Sequence, residues 1–334
     1  NKRVVQIPDE PFGSDTGEIA VIGQSGGMSV NLVRACINGG VSVKCGISVG
    51  NQADLCIEDF LEWFYADNDI KVIAAYVEDV KRSAEFMRMA RKTTVRKPII
   101  LWKGGITPEG SQAAASHTGA MAVPRGIWEG MLHQAGIIPA DNAFEVVNMS
   151  RALLWERLPE GPGVGLISPG GGTSVVMTDC AVRGGLEVPV LSPSTRTELS
   201  KFVAKVNTII DNPVDLGAAS YVPKTVAQTI SAMAEDEAIH SFIFYLSVYP
   251  YKTVGGREMC RQHLAAISEV RQRIDKPIYV ALYCAFQNFP EADESRREAV
   301  EYLNDLRIPY TMDQESCVKM IKGVSDYGRY LRAR

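Results

Sequence analysis

From residue 18 onward the chain alternates short runs of β-branched and other apolar residues with longer stretches in which apolar residues recur every three or four positions. This alternation marks βαβ units and a parallel sheet: a strand covered on both faces reads as continuously apolar, whereas the covering helix is apolar on one stripe. EIAVI, VSVKCGIS, KVIAAYV and PIILWK are the expected strands, and SGGMSVNLVRACINGG, IEDFLEWFYADN and KRSAEFMRMARKTT the helices between them. Gly and Asn residues at ING-G and ADN-D supply stop signals for two of these helices. GIIPA gives a short fifth strand, followed by the helix NAFEVVNMSRALLWERL.

LPEGPG then breaks the pattern and the theme restarts, which places a domain boundary near residues 158 to 163 and predicts domains 1–158 and 159–334. GVGLIS, HSFIFYLSV, KPIYVALY and IPYTM are the strands expected in the second half, with GREMCRQHLAAISEVRQRID and EADESRREAVEYLNDL as amphipathic helices. Each half opens with strand, Gly-rich turn and helix: EIAVIGQSGGMSV in the first and GVGLISPGGGTSV in the second. The predicted fold is α/β, two doubly wound flavodoxin-like domains with parallel sheets. A length of 334 residues agrees, since one hydrophobic core seldom serves more than about 250.

Composition narrows the function. With 46% apolar residues and no unbroken apolar stretch long enough to cross a bilayer, no membrane span is expected. A net charge of -4 without a Lys/Arg run argues against nucleic acid as a partner. The 7 cysteines (Cys36, Cys45, Cys56, Cys180, Cys260, Cys284 and Cys317) show no C-x-x-C spacing and suit a reducing, cytoplasmic location. The opening NKRVVQIPDEPFG has no apolar signal region, and a chain that opens on Asn1 reads as a piece of a longer one.

A Gly-rich turn leading into a helix lets main-chain N–H groups approach an anion, and the helix N-terminus adds about half a positive charge. Ser25, Gly26 and Gly27 in the first half, and Gly170, Gly171, Gly172 and Thr173 in the second, are therefore candidate phosphate contacts, unless the glycines only make tight turns. GPGVG precedes its strand, so it is no dinucleotide fingerprint, and no P-loop motif occurs. Gly23-Gln24-Ser25-Gly26-Gly27 also matches the G-x-S-x-G nucleophile elbow, leaving open a serine hydrolase or acyltransferase that uses Ser25 with His133 or His117.

KGGITPEGSQAAASHTGAMAVPRG, between the fourth strand and the next helix, reads as a long loop of small residues centred on His117. No metal is expected there, because no second ligand lies at suitable spacing. A neutral imidazole, with a pKa near ~6.5, can attack phosphorus without a separate base. Its other ring nitrogen then needs an acceptor. Glu78, at the end of the third strand, lies by topology on the sheet edge from which this loop departs, although Glu78 or Asp79 could instead cap the following helix.

GQSGG, GNQAD, YVED, KPIILWKGG, AAASHTGA and DNPVDL, in this order, make the chain resemble the ADP-forming acyl-CoA synthetases and, more distantly, succinyl-CoA synthetase. The resemblance implies an acid–thiol ligase in which His117 is phosphorylated, Glu78 is its hydrogen-bond partner, and the helices opening at Ser25 and Gly170 hold phosphate. It further implies coenzyme A and Mg-ATP/ADP as substrates with no tightly bound cofactor, a carboxylic acid substrate, and an oligomer. A CoA-binding domain and an ATP-grasp module, fused or separate, are the implied partners. Asn51 and Asp54 in GNQAD are candidates to line the acid pocket. The second turn, SPGGGTS, departs from the family in carrying Pro169 where relatives usually have Asn. A non-catalytic CoA-sensing module is the reading from another class, and retention of His117 and Glu78 argues against it.

Overall fold

The computed structural model describes residues 16–118, 123–204, 206–248, 256–283 and 289–334. The N-terminal segment, Gly119 and Ala120 of the SHTGA element, and Cys284 lie outside the described residues. The chain divides into two compact units, Asn1–Leu154 with Arg329–Arg334, and Trp155–Gly328.

The first unit is a five-stranded sheet in the order β2-β1-β3-β4-β5. Its strands are β1 (Ile19–Gly23), β2 (Val43–Ser48), β3 (Val72–Val77), β4 (Ile99–Lys103) and β5 (Ile138–Ala140), all paired in parallel. Every residue of β1 and β3 is buried, as the unbroken apolar runs IAVIG and VIAAYV require for central strands covered on both faces. The helices are α1 (Gly26–Asn38), α2 (Ile57–Ala66), α3 (Ser83–Thr94), α4 (Pro108–Thr118), α5 (Arg125–Ala135) and α6 (Ala143–Trp155). Leu61 and Phe64 of α2, Phe86 and Met89 of α3, and Trp128 and Leu132 of α5 join Ile22, Ile73 and Leu101 of the strands in one apolar core.

The second unit has a six-stranded sheet in the order β11-β10-β9-β6-β8-β7. It comprises β6 (Val164–Ser168), α7 (Gly171–Arg183), α8 (Pro193–Leu199), β7 (Ile209–Ile210), β8 (Val214–Asp215), a 3-10 turn (Gly217–Tyr221) and α9 (Pro223–Ala234). Then follow β9 (Ser241–Ser247), α10 (Gly256–Arg271), β10 (Ile278–Tyr283), α11 (Pro290–Asp305), β11 (Tyr310–Thr311) and α12 (Gln314–Arg332). Without β7 the order repeats that of the first sheet, so both units are doubly wound and flavodoxin-like. One pair departs from the expected parallel sheet, since β7 runs antiparallel to β8. Both are two-residue strands, too short to leave a periodic signal. The DNPVDL segment containing β8 is tied to β6 through Asn212, which donates to the Val164 carbonyl at 2.8 Å and accepts from the Leu166 N–H at 2.9 Å.

Candidate functional site

In a sheet of this order the crevice opens where adjacent strands send their connections to opposite sides, here at the carboxyl ends of β1 and β3. Two buried glutamines knit the loops that meet there. Gln24, directly after β1, accepts through Oε1 the N–H of Glu78 and that of Asp79, the latter at 2.7 Å. Two donors facing one atom fix that atom as the amide oxygen. Gln52, after β2, has φ +54, donates Nε2 to the Asp79 carbonyl at 3.0 Å and accepts the Ile57 N–H at 3.2 Å. The Glu78–Asp79 main chain is thus held on its donor side by one loop and on its acceptor side by another.

The Glu78 side chain is buried, and the Tyr76 hydroxyl donates to its Oε1 at 3.2 Å. Burial, with the Glu78 charge second, pushes the Tyr76 phenol up to about 12, so it stays a donor. Its ring meets Trp102 edge-on at 5.0 Å. Lys103, the last residue of β4, donates Nζ to the Glu78 carbonyl at 2.8 Å and to the Gly104 carbonyl, and lies 5.5 Å from the Trp128 ring centre. Burial lowers its pKa, against the opposing pull of Asp79 and Glu78. Lys103 therefore clamps the loop carrying Glu78 to the loop that leads into α4. Neither Glu78 nor Asp79 caps α3: the N-cap is Arg82, without a side-chain capping bond, while Asp79 holds the Val80 N–H at 2.8 Å and pairs with Lys81 at 2.9 Å.

His117 is not in a loop. The segment expected to be irregular forms α4 from Pro108, started by the Thr107 hydroxyl accepting the Gly110 N–H at 3.0 Å, and His117 belongs to its last turn. Ala113, Ala114 and Ala115 favour helix on intrinsic grounds, but between Thr107 and Ser116 no residue is fully buried, so no apolar stripe announces the helix. The side chains of His117 and Thr118 lie outside the described residues.

The two Gly-rich turns correspond position by position. Gly23 and Ser168 end their first strands, and each pairs with the last residue of the neighbouring strand, Ser48 and Asp215 respectively. Ser25 is the N-cap of α1, with φ -93 and ψ 126, and its Oγ accepts the Met28 N–H at 3.4 Å. Extended backbone and a capping hydroxyl differ from the strained, exposed nucleophile of an elbow. Gly170 is the N-cap of α7 and has no side-chain bond to offer, while Ser168 Oγ and Ser174 Oγ meet at 2.7 Å behind it. A side chain would meet nothing at Gly27, Gly170 or Gly172, so space stands open before both helix N-termini. Thr173 follows in the first turn of α7 and is half-buried. Asn51 and Asp54 are exposed, and the buried residue of that loop is Gln52. Gln24 and Gln52 stand within GQSGG and GNQAD, but nothing in either motif marks the glutamine as the residue that ties the loops, because a lone Gln has no period to read. Among the described residues, no group of three His, Cys, Asp or Glu side chains could hold a metal, and no helix is long and apolar enough to cross a membrane.

Residues 16–153 match the succinyl-CoA ligase-like flavodoxin domain, and residues 164–331 match the Ligase-CoA domain. The chain belongs to the Ligase-CoA family. It is 32% identical over 269 residues to the alpha subunit of the ADP-forming acetate–CoA ligase II of Pyrococcus furiosus, covering 80% of this chain and 58% of that one. To the alpha subunit of ligase I from the same organism it is 28% identical over 316 residues, 94% of this chain and 65% of the relative. The chain thus spans about three fifths of these relatives. The dinucleotide-forming acetyl-coenzyme A synthetase 1 of Ca. Korarchaeum cryptofilum, solved with phosphate and ADP, superposes with a TM-score of 0.82 at 27% identity, covering 98% of this chain and 68% of that one.

Proposed function

We propose that this chain is the phosphoryl-carrying part of an ADP-forming acyl-CoA ligase, interconverting a carboxylic acid, CoA and NTP with acyl-CoA, NDP and phosphate. The observation that carries the reading is the Lys103 clamp, which fixes buried Glu78 beside the connection to the helix whose last turn holds His117. The similarity to ADP-forming ligase alpha subunits, and to a synthetase solved with phosphate and ADP, supports it.

In this reading a His117 ring nitrogen attacks the terminal phosphorus of NTP, forming a P–N bond as the P–O bond to NDP breaks. Glu78 holds the proton on the other ring nitrogen and balances the charge of the phosphorylated imidazole. A substrate carboxylate oxygen then attacks phosphorus, the P–N bond breaks, and the acyl phosphate so formed yields to CoA thiol with release of phosphate. The open helix N-termini at Ser25–Gly27 and Gly170–Thr173 hold phosphate through main-chain N–H groups. Asn51 and Asp54 line the approach of the acid. A CoA-binding domain and an ATP-grasp module with Mg-ATP complete the enzyme, in an oligomer in the cytoplasm, and the two units serve as the domains that divide this work.

The test is the complete enzyme incubated with Mg-ATP, or with its acyl-CoA and phosphate. An acid-labile, base-stable phosphate should appear on His117, and His117→Ala should abolish both labelling and synthesis. Phosphate recovered on a serine or carboxylate, or full turnover in His117→Ala, would sink the reading. Stoichiometric labelling of Ser25 by a fluorophosphonate would favour a serine hydrolase instead.

A further inference from the structure

The loop that carries Glu78 is held at its far end as well as at the sheet edge. Arg82, the N-cap of α3, forks towards three carboxylates: Nε meets Glu58 Oε1 at 2.7 Å, Nη2 meets Asp59 Oδ2 at 2.5 Å and Nη1 meets Glu85 Oε2 at 3.1 Å. Glu58 and Asp59 stand in the first turn of α2, directly after the loop that contains Asn51 and Asp54. Asp59 Oδ2 also accepts the Cys56 N–H at 2.8 Å. One oxygen therefore closes the GNQAD loop onto α2 and receives the guanidinium from the Glu78 loop.

Gln52 makes the other connection between these loops, through the Asp79 carbonyl and the Ile57 N–H. A single connection leaves two segments free to swivel about it, and a second removes that freedom. The side chain of Glu58 has no exposed surface, and its Oε2 has no hydrogen-bond partner among the described residues. A carboxylate buried in this way is costly, and such a pair contributes little to stability beyond what an apolar residue of the same volume would. What Glu58 adds is a fixed direction for Arg82 Nε. Gly50 and Gln52 both have φ +54, and for Gln52, which carries a Cβ, that backbone conformation persists only where its surroundings enforce it.

Resting on the reading of Asn51 and Asp54 as residues on the approach of the acid, we propose that Arg82 is a positioning residue for the step in which the acid takes phosphoryl from His117. Arg82 touches neither reactant. By holding both loops in one orientation it sets the substrate carboxylate against the site that Glu78 orients. In that step a carboxylate oxygen attacks phosphorus, the P–O bond forms as the P–N bond breaks, and the electron pair returns to the His117 ring, whose other nitrogen keeps its proton. Phosphorylation of His117 by NTP needs only the Glu78 end of the loop, which Gln24, Gln52 and Lys103 hold without Arg82. Arg82 therefore governs one half-reaction and not the other.

The experiment uses the complete enzyme in two stages. His117 is first labelled with Mg-ATP; the labelled enzyme, freed of nucleotide, is then given CoA and carboxylic acids from a panel running from acetate to phenylacetate. Arg82→Lys keeps the charge but cannot hold several carboxylates in fixed directions. It should label at close to the unmodified rate, yet lose the label to saturating acid at least about tenfold more slowly, the scale on which small displacements of reacting groups are felt. Asp59→Asn, which retains an oxygen for Cys56 and Arg82, should slow the second stage less. Asp59→Ala should match Arg82→Lys, with little further loss when the two are combined, because both break the same joint. Equal slowing of both stages would show that Arg82 acts only on stability, and that result, an unslowed second stage, or full additivity with Asp59→Ala overturns the inference. Asp54→Ala combined with Asn51→Ala tests the reading beneath it. If that pair leaves the second stage untouched, the acid approaches elsewhere and the inference falls with that reading; if it slows the second stage and Arg82→Lys does not, only the inference is lost. No label on His117 of the unmodified enzyme removes the phosphohistidine reading itself.

Discussion

Gln24 reaches from the end of β1 to Asp79, its amide oxygen accepting the Asp79 N–H at 2.7 Å and the neighbouring Glu78 N–H as well. One side chain thereby satisfies two buried donors on the loop that presents the Glu78 carboxylate. Its position at the carboxyl ends of β1 and β3 makes the geometry of that carboxylate depend on Gln24.

Gln24→Ala leaves both N–H groups without an acceptor, at a cost of roughly 1–3 kcal/mol for each. The loop should open locally before the unit unfolds, so amide exchange at Glu78 and Asp79 is expected to accelerate by about tenfold or more. Gln24→Glu keeps the oxygen and should exchange nearly as slowly as the unmodified protein. Equal acceleration in both variants would show that the acceptor is not what holds the loop.

Glu156 in the second unit is buried beside Arg271, whose Nε lies 2.5 Å from its Oε1. Burial outweighs the attraction of Arg271 and raises the carboxyl from 4.5 to about 7. A folded-state value above the unfolded one means that the stability from this group is fully present below about 4.5 and is lost as pH rises through 7. Urea unfolding of the second unit, followed between pH 5 and 8, should show stability falling by an amount on the order of 3 kcal/mol over that window. Glu156→Gln should flatten this slope. An unchanged slope would assign the dependence to another group.

Gly136 ends α5 in the left-handed region at φ +67, and a Cβ there would come within 2.2 Å of the Tyr330 ring. The Tyr330 hydroxyl meets Thr94 Oγ1 at 3.2 Å, so a residue near the C-terminus forms part of the first unit. Gly136→Ala combines backbone strain with overpacking and should destabilise by at least about 3 kcal/mol. Tyr330→Ala in the Gly136→Ala background should recover part of that loss by removing the clash, as read from thermal midpoints. If the double variant is no better than the single, strain alone accounts for the effect.

The strands were legible because their chemistry is local: IAVIG and VIAAYV are apolar at every position, and only a buried parallel strand tolerates that. Glu78 was legible for a related reason, as a charged residue directly after such a run must stand at the sheet's carboxyl edge. The α4 helix was not legible, since an exposed helix of Ala, Ser and Gln has no period to read. The strands β7 and β8 were too short, and Gln24, Gln52 and Lys103 act through main-chain groups brought together by the β1, β3 and β4 order. Asp215 appeared in the sequence as part of DNPVDL, but only pairing with Ser168 sets it beside α7.

Gly104 gives the most direct handle on the proposed role of Glu78. It sits between the Lys103 clamp and α4, and a Cβ there would lie 2.5 Å from the Tyr76 hydroxyl and 3.3 Å from Cγ of Glu78. Its φ is not in the left-handed region, so alanine is tolerated by the backbone and opposed only by these neighbours. Gly104→Ala must therefore push on the pair that orients the carboxylate, while the strands beneath it stay in place. In the complete enzyme, phosphorylation of His117 should slow by about tenfold or more, the scale on which misplacing a positioned group by less than an ångström is felt. Tyr76→Phe removes the closer atom, so adding it to Gly104→Ala should restore part of the rate, with a coupling that neither change shows alone. Glu78→Gln should slow labelling as well, and Gly104→Ala should have little further effect in that background, because the group it displaces no longer carries charge. Full additivity of Gly104→Ala and Glu78→Gln would mean that the glycine acts on something other than Glu78, and the assignment of Glu78 as the orienting carboxylate would have to be withdrawn.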